Sequence, residues 1–241
     1  LVRAEFLMSI AIVLLLIVWS LLSDAPLEEP ANPTRTPNPS KAPWYFLGLQ
    51  EMLVFFDPWH AGVMLPTFII LGLMVIPYVD INPRGNGYYC WKDRKWEILT
   101  FYLGFHILWV SLIIIGTFLR GPGWNWFWFW EKWDPHKVEA LTNVDLPFLL
   151  GVRNETTALF VGIVFVLGFF VVGYIAFYAF CRWVKGPDFG TFMQRWGWPR
   201  FYLTGFLFLN MVAVVVKMLM RHLLNIKYIM VLKTPYFSIN I

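Results

Sequence analysis

Glu51, Asp57 and His60 crowd into the stretch 51–60, just after a proline run that ends at Pro43-Trp44-Tyr45. Two carboxylates and an imidazole are groups that accept or pass protons when held within hydrogen-bond reach of a reacting atom. Each also has a plainer reading. Glu51 can be a helix charge directed at lipid headgroups, and Asp57-Pro58 suits a turn. The other candidates are scattered. His106, His136 and His222 stand far apart, and Cys90 and Cys181 lack metal-type spacing and any Cys-x-x-Cys-His, so both read as free structural thiols.

The elements that must position these groups are written in the hydropathy. The chain has 241 residues, 59% hydrophobic, 20% aromatic and 14% charged. Soluble domains carry about 25% charged residues. Here the charges collect in short stretches between long apolar runs, the pattern of a polytopic membrane protein. A net charge of +4, with Lys and Arg beside the apolar runs, reflects membrane topology and excludes nucleic-acid binding. Five runs predict spans at 5–22, 62–79, 98–119, 156–182 and 201–224. The first is read as a retained helix, because Ser23-Asp24-Ala25-Pro26 is a poor cleavage site. The fifth contains no Gly or Pro from Phe206 to Lys233, which predicts one helix continuing well past the membrane. No internal repeat is visible.

The loops around 80–96 and 183–200 are short and basic, which places them on the cytoplasmic (n) side. The loops at 23–61 and 120–155 then face outside (the p side). Five spans put the basic C-terminal tail outside as well, against the rule. Either the tail serves a partner there or the fifth segment does not fully cross.

Irregular backbone near a membrane needs burial or a cavity. Proline suits such a loop, having no amide hydrogen and a fixed φ. Pro30, Pro33, Pro37 and Pro39 predict an extended, polyproline-like run. A short amphipathic helix over 43–56 follows, with Pro43 in its first turn. Seven steps of about 100° separate Trp44 from Glu51, which predicts that both share one helix face.

The stretch "EPANPTRTPNPSKAPWYFLGLQEML" resembles the loop between helices E and F of the cytochrome b family, and most of all subunit IV of chloroplast-type cytochrome bf complexes. The order of elements is also similar: one helix, this loop, a helix ending in "IPYVDINP", a basic loop and another helix. The resemblance covers residues 1–120, and 121–241 match less well. It implies an all-α membrane subunit, the C-terminal half of a split cytochrome b. The loop would form one wall of the p-side pocket where quinol is oxidised, with Pro37, Pro39, Ala42, Pro43, Trp44, Tyr45 and Phe46 shaping it. The implied partners are a haem-bearing cytochrome b N-terminal-half subunit, a Rieske iron–sulfur protein and a c-type cytochrome, in a dimeric complex within lipid. Haem b and the iron–sulfur cluster belong to those partners, and quinone binds at the subunit interface.

Two departures stand out. The family has Pro-Glu-Trp-Tyr, whose Glu is thought to accept a quinol proton, and Pro43 takes that Glu's place here. Glu51 is the nearest substitute, with Asp57 and His60 behind it. The family's haems also need paired histidines. Only His106 lies mid-span, and it has no histidine partner at suitable depth, so no bis-histidine haem is expected in this chain. His106 is read as bonding to a neighbouring helix. Either cysteine could approach an extra n-side haem of the bf type, although free thiols are the plainer reading. The aromatic run "GPGWNWFWFWEKWDPH" suits a flat position at the p-side interface, as an anchor or a docking rim.

The expected organisation is a subunit IV-like core (1–120), a Trp-rich interfacial segment (121–155), and two further helices with a tail (156–241). The expected function is that of a subunit, inactive alone, of a quinol–cytochrome c or similar oxidoreductase. It would couple electron transport in a respiratory chain to proton translocation across a bacterial inner membrane. The alternatives are a purely structural membrane subunit of a redox complex and a transporter. The central parts of the second to fifth spans contain no Asp, Glu, Lys or Arg, which disfavours the transporter.

Overall fold

The computed structural model describes residues 1–22, 30, 32–81, 91–137, 144–233 and 238–241. It is 74% helical and holds five helices long and apolar enough to cross a membrane: Val2–Leu22, His60–Val79, Arg94–Leu119, Glu155–Trp196 and Trp198–Leu224. The protein is an all-α, multi-pass integral membrane protein. Cys90 lies outside the described residues.

Two units divide the chain, 1–40 and 41–241. In the first, α1 (Val2–Leu22) buries none of its residues. The proline run beyond it is not one extended strand. Asn32 accepts bonds from the Thr34 backbone N–H (3.0 Å) and hydroxyl (2.8 Å), and the Asn32 carbonyl accepts from Arg35 N–H (3.2 Å). This side-chain turn interrupts the polyproline geometry that the proline spacing alone favours. Pro37 and Pro39 belong to this unit, with the Asn38–Pro39 bond cis.

In the second unit a 3-10 turn (Trp44–Phe46) leads into α2 (Leu47–Met52). Pro43 sits just before the turn, where its carbonyl accepts the Phe46 N–H at 2.8 Å. The second span opens with a π turn, His60–Met64, and continues as α3 (Leu65–Val79). The third combines α4 (Trp91–Phe101), a π-helical stretch Tyr102–Trp109, α5 (Val110–Ile114) and a second π turn, Ile115–Leu119. After the four-residue α6 (Leu146–Leu149) comes α7 (Glu155–Lys185). Its 31 residues rise about 46 Å, more than a bilayer core of about 30 Å. Asn154 caps its start through Thr156 N–H (3.1 Å), and Arg182 and Lys185 suit the negative end of its dipole.

The basic loop expected at 183–200 is itself partly helical. Gly186, at φ 53°, turns the chain into α8 (Phe189–Trp196), and Gly197, at φ 82°, turns it again into α9 (Trp198–Leu224). Met193, Trp196 and Phe201 are buried together, Trp196 Nε1–H donates to the Val79 carbonyl (3.2 Å), and Arg200 Nε–H donates to the Tyr78 carbonyl (2.7 Å). Contacts that link residues 117 and 122 positions apart leave no periodic signal along the chain.

Glycine lets the helices approach. A Cβ on Gly205 would lie 2.7 Å from the Tyr174 ring, and one on Gly104 would lie 2.9 Å from Met211 Sδ. Short α2 packs on the third span the same way. A Cβ at Gly48 would stand 3.1 Å from the Trp109 ring, and one at Gly116 3.3 Å from the Leu47 carbonyl. Gly48→Val is therefore expected to push α2 off Trp109 and cost about 1–3 kcal/mol. Thermal unfolding of the protein in detergent would read this as a lower midpoint, and an unchanged midpoint would refute the close fit.

The fifth span does not run on as a helix to Lys233 but ends at Leu224. Asn225, at φ 54°, ends α9 in the left-handed conformation that asparagine tolerates at a helix C-terminus. The chain then folds back, and β1 (Val231–Lys233) pairs antiparallel with β2 (Ser238–Asn240). This tail lies at the same end of the bundle as α2. Val144 bridges Ile226, and Leu146 N–H donates to the Tyr228 carbonyl at 2.8 Å. Asn240 reaches Asp57. Within the second unit, four of the long apolar helices separate α2 from the tail, and the tail packs back against the loop after α2.

Candidate functional site

Glu51 is completely buried, although seven positions before it Trp44 is 69% exposed. The two do not share a face as the spacing predicted. Trp44 stands on a three-residue 3-10 turn ahead of the helix and Glu51 inside α2, so the single continuous helix that the spacing assumed is not formed. Trp44, Tyr45 and Phe46 form an exposed aromatic cluster, with Trp44–Tyr45 centroids at 5.7 Å and Tyr45–Phe46 at 4.7 Å. The backbone behind them is tied down. Ala42 N–H donates to Gln50 Oε1 (2.8 Å), and Lys41 Nζ donates to the Thr117 carbonyl (2.7 Å) while lying 5.0 Å from the Trp133 ring.

What receives Glu51 is Arg120, at the end of the third span. Arg120 donates from Nη2 to Oε1 (2.6 Å) and from Nε to Oε2 (2.9 Å), a two-pronged match of guanidinium to carboxylate. Trp124 Nε1–H adds a third donor to Oε2 at 3.1 Å, and its carbonyl accepts from Arg120 Nη1 at 3.1 Å. To do both, Trp124 sits at φ 58° after Gly123 at φ 66°. A bulky residue in that region is uncommon and is held there by its surroundings. Part of the Trp-rich segment therefore turns inward, contrary to the flat placement expected. Arg120 bridges Trp126, Phe127 is buried, and a Cβ at Gly121 would stand 2.6 Å from the Phe127 ring. Its outer part stays exposed, with Trp128 and Trp130 stacked at 5.4 Å.

Asp57 and His60 come together one turn further on. Asp57 Oδ2 accepts from Trp59 N–H at 3.3 Å, and the Asp57 carbonyl accepts from Ala61 N–H at 2.9 Å. Its Oδ1 accepts from Asn240 Nδ2 at 3.2 Å. His60 is 9% exposed and lies in a π turn, a local widening frequent at functional sites. Its ring stacks on Phe56 at 4.9 Å, and its Nδ1 is buried without a hydrogen-bond partner. Lys217 of α9, 2% exposed, faces His60 and donates from Nζ to the Lys227 carbonyl at 2.6 Å.

The four histidines have separate surroundings. His60 is covered by Phe56, and His222 Nδ1 lies 2.9 Å from the Met218 carbonyl with Phe55 beside its ring. His136 is exposed in the Trp-rich segment. His106 is exposed and stacked on Tyr102 at 4.6 Å, so it does not meet a neighbouring helix among the described residues.

Glu51, Arg120 and Trp124, together with the aromatic turn, lie within one compact stretch of sequence. Residues 30–127 match the family model Cytochrome b(C-terminal)/b6/petD. No curated protein and no solved structure matches the chain. The match covers less than half of the chain, and over that stretch the chain is similar to the C-terminal part of cytochrome b. The matched stretch ends at Phe127, so α7 to α9 and the tail lie outside the cytochrome b segment.

Sequence reasoning missed Arg120, Trp124, Lys217 and Asn240. The signal available for Arg120 was a lone arginine closing an apolar span before Gly-Pro-Gly. For Asn240, 183 residues from Asp57, there was none.

Proposed function

We propose that this chain forms part of the p-side quinol-oxidation pocket of a quinol–cytochrome c or similar oxidoreductase in a bacterial inner membrane. It would work beside a haem-bearing cytochrome b half and a Rieske protein. The observation that carries the reading is the pairing of an exposed Trp44–Phe46 wall with a clamped back, inside the cytochrome b segment. Exposed rings on fixed backbone give an apolar, planar surface on which a quinol ring can lie at little entropic cost. Quinol gives two electrons to redox groups of the partner chains and two protons to groups of this end of the bundle. Ala42 and Pro43 hold the wall's entry.

Of the three proton candidates we favour His60 with Asp57, because Nδ1 of His60 has no hydrogen-bond partner among the described residues. Glu51 can serve only if the Arg120 fork opens. Its full burial and three donors favour a second reading, in which the chain is a structural subunit and Glu51 fastens the loop.

A photoactivatable quinone added to the purified complex separates the two. Labelling within 42–60, suppressed by excess quinol, is the expected result. Labelling confined to other segments would overturn the pocket and leave the structural reading. Haem and iron–sulfur spectra of the same preparation would identify the partners.

A further inference from the structure

The half of the chain outside the cytochrome b segment reaches into the Asp57–His60 group. The C-terminal strap begins at Ile226, which is fully buried, and lies on α7 so closely that a Cβ at Gly162 would stand 2.6 Å from the Ile229 carbonyl. From there Asn240 donates to Asp57, and Lys217 grips the strap through the Lys227 carbonyl. Among the described residues, two buried polar atoms of this cluster, Nδ1 of His60 and Oδ1 of Asn240, have no hydrogen-bond partner. Buried polar groups are nearly always satisfied, and both exceptions belong to the group around the Asp57 carboxylate, to which Asn240 donates. The charged groups facing His60 are Asp57 and Lys217, and Lys217 in turn faces Asp145 and Arg221.

We infer that the strap and the loop form one proton-binding cluster, in which Asn240 and Lys217 are positioning residues that set how Asp57 and His60 hold a proton. Asn240 fixes the Asp57 carboxylate through one amide hydrogen and presents its free oxygen to the cluster. Lys217 spends one of its three donors on the strap, from a helix whose Val214 and Met218 pack against the buried cluster of Phe55, Phe56 and Ala61. The inference rests on the proposed quinol reading only in giving the proton of His60 an origin.

The test is imidazole nitrogen NMR of the full chain reconstituted in lipid with labelled histidine, His60 being assigned through His60→Gln. Asn240→Ala and Lys217→Met are each expected to displace the His60 resonances while those of His136 stay in place. Asn240→Asp guards against simple detachment of the strap. It keeps the side-chain shape but sets a second carboxyl against Asp57, and is expected to displace His60 while the tail stays protease-resistant. His60 resonances unchanged in all three variants would overturn the inference. Quinol turnover of the assembled complex, measured in parallel, separates the two proposals. Displaced resonances with unaltered turnover would keep the cluster and remove His60 from quinol oxidation.

Discussion

Arg120→Ala is expected to be among the most damaging single substitutions in this protein, costing about 3–5 kcal/mol. The reason is what it leaves behind. Glu51 has no solvent exposure, and without Arg120 its carboxylate retains one donor, the Trp124 indole. A buried charge stripped of its partner loses the attraction and keeps the desolvation cost. The loss falls on α2 and the Trp44–Phe46 turn, so the loop should become sensitive to protease while the spans stay helical. Replacing both partners by apolar residues of similar volume, Glu51→Leu with Arg120→Met, is expected to recover most of the stability, because no uncompensated charge remains. The same pair of variants addresses function. If Glu51 is only a fastener, the double variant should recover turnover with stability. If Glu51 accepts the quinol proton, turnover stays lost in the stable double variant. A double-mutant cycle of thermal midpoints and turnover, each measured on the assembled complex, checks both statements.

Gly162→Leu carries the second large effect. The atoms a side chain would meet are backbone: the Ile229 carbonyl at 2.6 Å and Met230 Cα at 2.8 Å from the Cβ alone. No rotamer change relieves such a clash, so the strap must lift. Overpacking typically costs about 1–3 kcal/mol, and here the detached strap would also release Asn240 from Asp57 and the Lys227 carbonyl from Lys217. Limited proteolysis should cut the variant within 226–241 at a rate the parent does not show. Gly173→Ala is the control. Its Cβ would come within 2.5 Å of a Leu209 methyl, a flexible side chain that can turn away, so the tail should stay resistant. Equal cleavage of both variants would show that the strap is not held through Gly162.

Hydropathy was enough for the five spans because crossing a bilayer demands long apolar runs, whatever the neighbours do. The loop motif with Trp44 and Tyr45 was equally plain, since prolines and aromatics act locally. Phase was not. Placing Glu51 with Trp44 assumed one uniform helix, whereas the chain forms a 3-10 turn and then the six-residue α2. Helix length past Leu224 failed for a related reason: absence of Gly and Pro permits a helix, but Asn225 and the pull of the folded-back strap ended it.

The sequence by itself determined the membrane fold, the order of the spans and the aromatic loop, because these follow from local composition and from the solvent each segment must face. Tertiary structure alone decided that Glu51 meets Arg120 across 69 residues and that Asn240 meets Asp57 across 183. Partners for buried charges are chosen by which side chains the packed helices bring within hydrogen-bond distance, and no periodicity along the chain encodes that choice.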